Sequence, residues 1–514
     1  MKKLWKKLLA VTTAVMMAIT LLPAMANANA TDGKGSVTII KNGEESDEFL
    51  AGAKFSFYKI ASITNSEGKD WKYTVEEAYR KQLGDNGIAK NLNNLNNLPS
   101  SAWEAEIDVL AAINATAIKE SKASAEETGS TGATELPLGV YLVKETTTPA
   151  GYVASKPFIV SVPSTDNYDT AGKEGTEFIY NITAKPKNSK MSVDKTIVNE
   201  DKTAYIGGFV EYKVETQIPK YGTEYTNPVF NIYDKMSNGL SFVNDDNDTA
   251  HKLKVVVGGT EIVKGENTYT LATNGLSDEK TFEIQFAKAF LENKENKGKK
   301  VEVTYYAQVN ENAVYINENS ANITYQNKPG TTTDATPSEK NVYTYGIDLT
   351  KTGDKSVDAN GLDGAEFTLA VANGEMISIL VNGTKVDVNG NSKDEFRTTT
   401  VENKKGKLVF KGLKAGTYTL TETKSPSGYS LAKNPITIVI TANEDGSLAD
   451  ATVDGNSVKD NMTEAGVVPV GLQNKSGFNL PATGGMGTYL FTIGGLVIMA
   501  GAALLLIAAK KRRA

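Results

Sequence analysis

The chain has 514 residues, room for about three domains at roughly 150 residues each, and it is 40% hydrophobic and 23% charged with a formal net charge of −6. It contains no cysteine, which excludes disulfides, thiolate metal sites and a cysteine nucleophile. Its single histidine, His251, excludes a multi-histidine metal site and is the only residue a Ser-His-Asp triad could use. Flanked by Ala250 and Lys252, with no acid or hydroxyl pattern around it, His251 reads as a surface residue of a polar loop.

At the N-terminus Lys2, Lys3, Lys6 and Lys7 precede an apolar run from Leu8 to Leu22. Small residues follow at Ala24, Ala26, Ala28 and Ala30. A charged start, an apolar middle and a small-residue exit predict a secretory signal peptide over 1–30. Beyond it, short alternating apolar runs broken by Gly, Asn, Asp and Lys recur, among them Val37–Ile40, Phe158–Val162, Val301–Tyr306 and Ile436–Ile440. This pattern predicts an all-β chain of sandwich domains. A helical insert is expected between Val75 and Lys119, where the apolar residues take helical spacing, and the segment Gly129 to Thr134 reads as a loop.

Two stretches repeat. Leu50-Ala51-Gly52-Ala53-Lys54-Phe55 matches Leu362-Asp363-Gly364-Ala365-Glu366-Phe367, and the run Tyr141 to Tyr152 matches Tyr418 to Tyr429 as Tyr-x-x-x-Glu-Thr-x-x-Pro-x-Gly-Tyr. Two domains therefore share one design, 31–188 and 341–479, and 189–340 between them lacks both motifs and forms a third unit. The chain ends in Leu480-Pro481-Ala482-Thr483-Gly484, an apolar stretch from Tyr489 to Ala509, and Lys510-Lys511-Arg512-Arg513. About 20 apolar residues suffice to span a bilayer, with the terminal cations left in the cytoplasm. The pentapeptide resembles the LPXTG sorting signal of Gram-positive surface proteins, which implies sortase cleavage between Thr483 and Gly484 and transfer of the Thr483 carbonyl to an amine. Each end carries four cations and no acid, so removing both takes the charge from −6 to −14. That acidic remainder has no basic stripe for nucleic acid.

Strand side chains alternate between faces. By parity, Lys41 shares a face with Val37 and Ile39, Lys195 with Val193 and Ile197, and Lys351 with Ile347 and Leu349. An ammonium in line with core residues is costly unless neutralised. An acid obeys the same rule in each domain: Glu145 with Tyr141 and Val143, Asp234 with Phe230 and Ile232, Glu422 with Tyr418 and Leu420. So does an asparagine near each domain end: Asn188 with Ile182 and Ala184, Asn319 with Ala321 and Ile323, Asn474 with Val468 and Val470. Asn327 has the same parity as Asn319, and Asn181, facing the other way, is a weaker rival to Asn188. Burial lowers a lysine pKa and raises that of an acid. The expected chemistry is attack of a neutral amine on the asparagine amide, with the acid polarising the carbonyl and relaying protons, ammonia leaving and a Lys–Asn isopeptide bond remaining. This is a single-turnover reaction, not catalysis on an external substrate, and it ties the first strand of a domain to its last.

These residues resemble the isopeptide-containing major (backbone) pilins of Gram-positive bacteria, over essentially the whole chain. The Tyr-x-x-x-Glu-Thr runs look like the family's E-box, and Tyr233-Asp234-Lys235-Met236-Ser237-Asn238-Gly239-Leu240 matches its Asp motif. The resemblance implies Ig-like Greek-key sandwiches in the order CnaB, CnaA, CnaB, with clusters Lys41–Glu145–Asn188, Lys195–Asp234–Asn319 and Lys351–Glu422–Asn474. Lys185-Pro186-Lys187-Asn188 resembles the family's Tyr-Pro-Lys-Asn pilin motif, with Lys185 in place of Tyr. It implies that Lys187 receives the Thr483 carbonyl of another subunit; Lys185 is a second candidate amine. The implied partners are pilin-specific and housekeeping sortases, identical subunits, minor pilins and peptidoglycan, with no cofactor and no metal; the acidic run Asn244 to Asp248 reads as a solvated turn. A monomeric wall-anchored adhesin, or a minor or basal pilin, binding a host or matrix ligand would share these features without needing Lys187. An enzyme is disfavoured, since no catalytic or cofactor motif is present.

Overall fold

The computed structural model describes residues 33–43, 48–66, 70–83, 107, 109–165, 178–245, 248–372, 374–389 and 391–477. The signal peptide, the sorting pentapeptide Leu480–Gly484, the apolar stretch after it and its basic tail lie outside them.

Among the described residues the strands form three sandwiches. In the first, β1 (Lys34–Ile40), β2 (Lys54–Ser66), β3 (Ser130–Pro137), β4 (Gly139–Thr147), β5 (Phe158–Val162) and β6 (Asn181–Ala184) carry the core. One sheet runs β6-β1-β3 and the other includes β2, β4 and β5. Val37, Ile39, Phe55, Tyr141, Val143, Val160 and Ile182 meet between them. The helical insert begins as α1 (Glu77–Leu83), and 109–111 is helical; the stretch 84–106 lies outside the described residues. Tyr79 and Leu83 of α1 pack on Val140 and Leu142. That accounts for the unbroken apolar run Gly139–Val143: β4 is covered on both faces.

Gly129 to Thr134 is not a loop. Ser130 to Thr134 open β3, which pairs antiparallel with β1 from Ile40↔Ser130 to Val37↔Thr134 through a bulge. The polar, glycine-rich sequence hides the strand because Thr131 uses its hydroxyl to accept the Ile39 amide at 3.1 Å, while Gly129 and Gly132 take φ of 62° and 68°.

The middle sandwich holds β7 (Asp194–Ile197), β8 (Phe209–Gln217), β9 (Phe230–Met236), β10 (Phe282–Phe286), β11 (Lys300–Val309) and β12 (Ile316–Lys328). β7-β8-β11 lie in one sheet and β10-β9-β12 in the other. The third holds β13 (Tyr345–Gly353), β14 (Glu366–Val371), β15 (Lys404–Leu413), β16 (Gly416–Lys424), β17 (Ile436–Ala442) and β18 (Val467–Asn474). β15-β13-β18 lie in one sheet and β14-β16-β17 in the other.

The repeat at sequence level is a repeat in topology. In both outer sandwiches the first and last long strands pair parallel, Ile39↔Ala184 and Leu349↔Val470. Gly52 and Gly364, at φ of 82° and 92°, turn the chain into β2 and β14, and Ala53, Phe55, Ala365 and Phe367 just beyond are fully buried.

Candidate functional site

All three lysines are completely buried, at 0% exposure. Strand geometry delivers them. Lys41 and Lys351 point into the sandwich because their parity matches Val37–Ile39 and Ile347–Leu349. In the parallel pair, Lys351 stands opposite Leu472 and Asn474 lies two residues on, opposite Gly353. Two residues of strand are ~6.6 Å, within the span of a lysine side chain, so the lysine and the asparagine lie on one face. In the first sandwich Asn42 bridges Lys187, which gives Lys41 and Asn188 the same offset. The acid comes from the opposite sheet, on β4 or β16.

In the first cluster the Lys41 ammonium donates to Asn188 Oδ1 and lies 3.1 Å from Glu145 Oε2. Asn188 Nδ2 donates to Glu145 Oε1 at 3.0 Å. In the third, Asn474 Nδ2 donates to both oxygens of Glu422 at 2.9 and 3.0 Å, and the Lys351 ammonium donates to the Thr352 and Leu472 carbonyls at 3.1 and 3.4 Å. Each acid is held by a residue ten positions on, a contact the sequence reading missed. The Ser155 amide and hydroxyl reach Glu145 Oε2 at 2.8 Å, and the Ala432 amide reaches Glu422 Oε2 at 2.7 Å. The equal spacing in the two repeats was the available signal. The E-box tyrosines brace the same strands: Tyr141 donates to the Pro137 carbonyl at 2.5 Å and Tyr418 to the Lys414 carbonyl at 2.7 Å.

The middle cluster differs. Lys195 Nζ lies 2.7 Å from Asp234 Oδ2, with the ammonium 4.7 Å from the Tyr212 ring centroid and 5.4 Å from that of Tyr305. Tyr305 donates to Asp234 Oδ2 at 2.5 Å, and Asn319 Nδ2 donates to Tyr305 Oη at 3.4 Å. Asn319 comes to this site because it stands opposite Met236, two residues past Asp234. Asn327, at the far end of β12, does not; its carbonyl accepts the Ala154 amide at 2.8 Å. Asn181 is exposed and accepts from Ser36 at 2.8 Å. The sequence reading also missed Tyr305, which hides inside an ordinary alternating strand.

Burial pushes all three lysines down to about 8, against the pull of the acid beside each. Burial pushes the Asp234 carboxyl up, past what Lys195 and Tyr305 offset. Both shifts in the middle cluster favour a neutral amine beside a neutral acid.

Lys187 is exposed and Lys185 is half-buried. The Lys187 backbone pairs with Asn42, and Asn42 pairs on its other side with Phe49, so Lys187 stands outside a strand whose next residue, Asn188, faces inward. His251 is not without an acid: its Nδ1 lies 2.8 Å from Asp248 Oδ2, and its ring stacks on Phe209 at 4.0 Å. The turn closed by the Asp248 carboxylate, which also accepts the Ala250 and His251 amides, brings them together. No group of three or more metal-ligating side chains occurs among the described residues; Asp246 and Asn247 of the acidic run lie outside them.

Residues 35–176 and 346–455 match the family described as the SpaA prealbumin-like fold domain, and residues 473–514 match the LPXTG cell wall anchor motif. The chain is 30% identical over 412 residues to the fimbrial subunit type 2 of Actinomyces naeslundii, covering 73% of this chain and 68% of that one. It belongs to the Gram-positive fimbrial subunits, the backbone pilins. The pilin is also 27% identical over 425 residues to the fimbrial subunit type 1 of Actinomyces viscosus, covering 73% of each chain. In fold it is similar to the T6 backbone pilin of Streptococcus pyogenes, with a TM-score of 0.55, 18% identity and coverage of 87% of this chain and 99% of that one. The two SpaA segments fall on the two sandwiches that carry the internal repeat. The pilin is a structural subunit and a sortase substrate, anchored to the cell wall as part of a surface pilus.

Proposed function

We propose that the pilin is the shaft subunit of a covalent head-to-tail fibre, with domains near 31–188, 189–340 and 341–479, each closed by one Lys–Asn isopeptide bond. The bonds are Lys41–Asn188 assisted by Glu145, Lys195–Asn319 assisted by Asp234, and Lys351–Asn474 assisted by Glu422. The observation that carries this reading is the first cluster: a fully buried amine on the amide oxygen of Asn188, with Glu145 holding the amide nitrogen. A buried charge pair in a cysteine-free exported chain is a poor stabiliser by itself; converting it to a neutral amide removes both charges from the core. Lys187 is the acceptor for Thr483 of the next subunit, delivered by a pilin sortase, and a housekeeping sortase passes the finished fibre to peptidoglycan. Minor pilins and a host or matrix surface are further partners of the fibre.

The test is the intact mass of the chain isolated from cells that lack sortase. It should fall short of the mass calculated for the sequence after signal-peptide removal by one ammonia per bond, three in all. The unmodified mass would end the proposal.

The reaction's pH dependence follows from the shared proton. The reactive state, amine plus carboxylic acid, carries the same single proton as the ion pair. The middle bond should therefore form at a constant rate through neutral pH. Its rate should fall above about 8, where the lysine gives up the shared proton, and fall again in acid once amine and carboxyl are both protonated. Stopped-time mass measurements across pH would read this directly. A rate that climbs through pH 8 and stays high would mean that the free amine alone is enough.

A further inference from the structure

The three clusters do not connect acid to amide in the same way. In the outer sandwiches the asparagine Nδ2 donates straight to the glutamate, at 3.0 Å to Glu145 and at 2.9 and 3.0 Å to Glu422. In the middle one the acid is an aspartate, one methylene shorter. Asp234 Oδ2 takes both Lys195 and Tyr305, and Asp234 Oδ1 and Asn319 Oδ1 are buried without a hydrogen-bond partner. The connection from amide to acid therefore runs through the phenol: Asn319 Nδ2 to Tyr305 Oη at 3.4 Å, and Tyr305 Oη to Asp234 Oδ2 at 2.5 Å.

The geometry points to Tyr305 as a catalytic residue of the middle domain, the proton carrier between Asp234 and the leaving nitrogen of Asn319. This rests on the proposal that Lys195 and Asn319 become joined. The balance is simple. Lys195 Nζ, as a neutral amine, attacks the Asn319 side-chain carbonyl carbon, forming the C–N bond and a tetrahedral centre. Asp234, protonated in the reactive state, takes the proton that the attacking nitrogen sheds as it passes its own on towards Tyr305. In the resting site the amide nitrogen donates to Tyr305, because an amide lone pair is delocalised and accepts poorly. In the tetrahedral centre that nitrogen is an ordinary basic amine, so the hydrogen bond reverses. Tyr305 gives its proton to Nδ2 and takes one back from Asp234. The old C–N bond breaks and ammonia leaves with the two hydrogens of Asn319 Nδ2 and the equivalent of the one shed by Nζ; Nζ keeps one hydrogen as the new amide N–H, and Asp234 and Tyr305 each end with the one proton they began with. Burial holds the Tyr305 hydroxyl well above its usual range, so it is always a protonated donor, and its place in the core keeps bulk water from substituting for it.

The test is Tyr305→Phe in the full chain, isolated from sortase-negative cells. The change removes one oxygen and leaves the ring beneath Lys195 and against Tyr212. The outer clusters, which contain no such tyrosine link, act as internal controls in the same molecule. We expect a species lacking only two ammonias at isolation, with the third lost on the order of a hundredfold more slowly than in the parent chain, the range for removing one positioned proton carrier. Peptide mapping should place the missing bond at Lys195–Asn319. Resistance of the middle domain to proteolysis, and completion of both outer bonds, show that the variant is folded. Loss of three ammonias at the parent rate would overturn the role of Tyr305. A parent chain whose middle bond never forms would instead overturn the reading on which it rests, so the two failures are distinguishable. If Tyr305→Phe slows the bond but Asp234→Asn does not, the phenol is not acting with the acid and the relay is wrong.

Discussion

Lys187→Ala should reduce the ladder of covalent polymers in a cell-wall extract, run on a denaturing gel, to a single monomer-sized species. Lys185→Ala should leave the ladder in place. The two lysines lie two residues apart on the same side of the chain, but only Lys187 is exposed. Its backbone is pinned beside Asn42, next to the Lys41–Asn188 contact. A nucleophile attacking a sortase acyl-enzyme must enter a protein cleft, which favours the exposed side chain over the half-buried one. A ladder that survives Lys187→Ala but vanishes in Lys185→Ala would transfer the role; a single band in the parent strain would point to a monomeric adhesin. Chain order has a further consequence: a pull entering at Lys187 and leaving at Thr483 passes through the middle and C-terminal domains and bypasses the first. On the linkage proposed above, a Lys41–Asn188 bond anchors the first domain beside the acceptor and does not carry the load.

Removing the acid should have the largest effect on stability. Glu145→Ala, Asp234→Ala and Glu422→Ala should each restore one ammonia to the mass, and each should lower the melting temperature of its own domain by about 15 °C or more. A cross-link between Lys41 and Asn188 closes a loop of 147 residues, which in the chain-entropy treatment stabilises by about 5 kcal/mol. At a few degrees per kcal/mol for a domain of this size the shift follows. The loss is compounded because each variant leaves a buried lysine without its acid, a state that by itself costs about 3–5 kcal/mol. Calorimetry would check both parts, since Asn188→Ala breaks the cross-link but keeps the Lys41–Glu145 pair and should fall between parent and Glu145→Ala. A melting temperature unchanged in all three acid variants would contradict a covalent role for the clusters.

The sequence by itself determined the sandwich class, the internal repeat and the inward direction of Lys41, Lys195 and Lys351. A strand has a period of two, and a one-residue slip would expose the whole core face, so the parity of an apolar run dictates which side chains are buried. The same parity picked out Glu145, Asp234 and Glu422. Parity is blind to distance along a strand and to partners from other strands. Asn319 and Asn327 share a face of β12, and only the pairing of β12 with β9 put the first beside Asp234 and left the second at the other end. Gly129 to Thr134 read as a loop because a bulged strand replaces apolar spacing with glycines and a side-chain hydrogen bond. Tyr305 read as one more core aromatic. That its hydroxyl bridges an aspartate too short to reach its amide was decided by the stacking of one sheet on the other, a separation set by side-chain packing across the sandwich and by no pattern within a single strand.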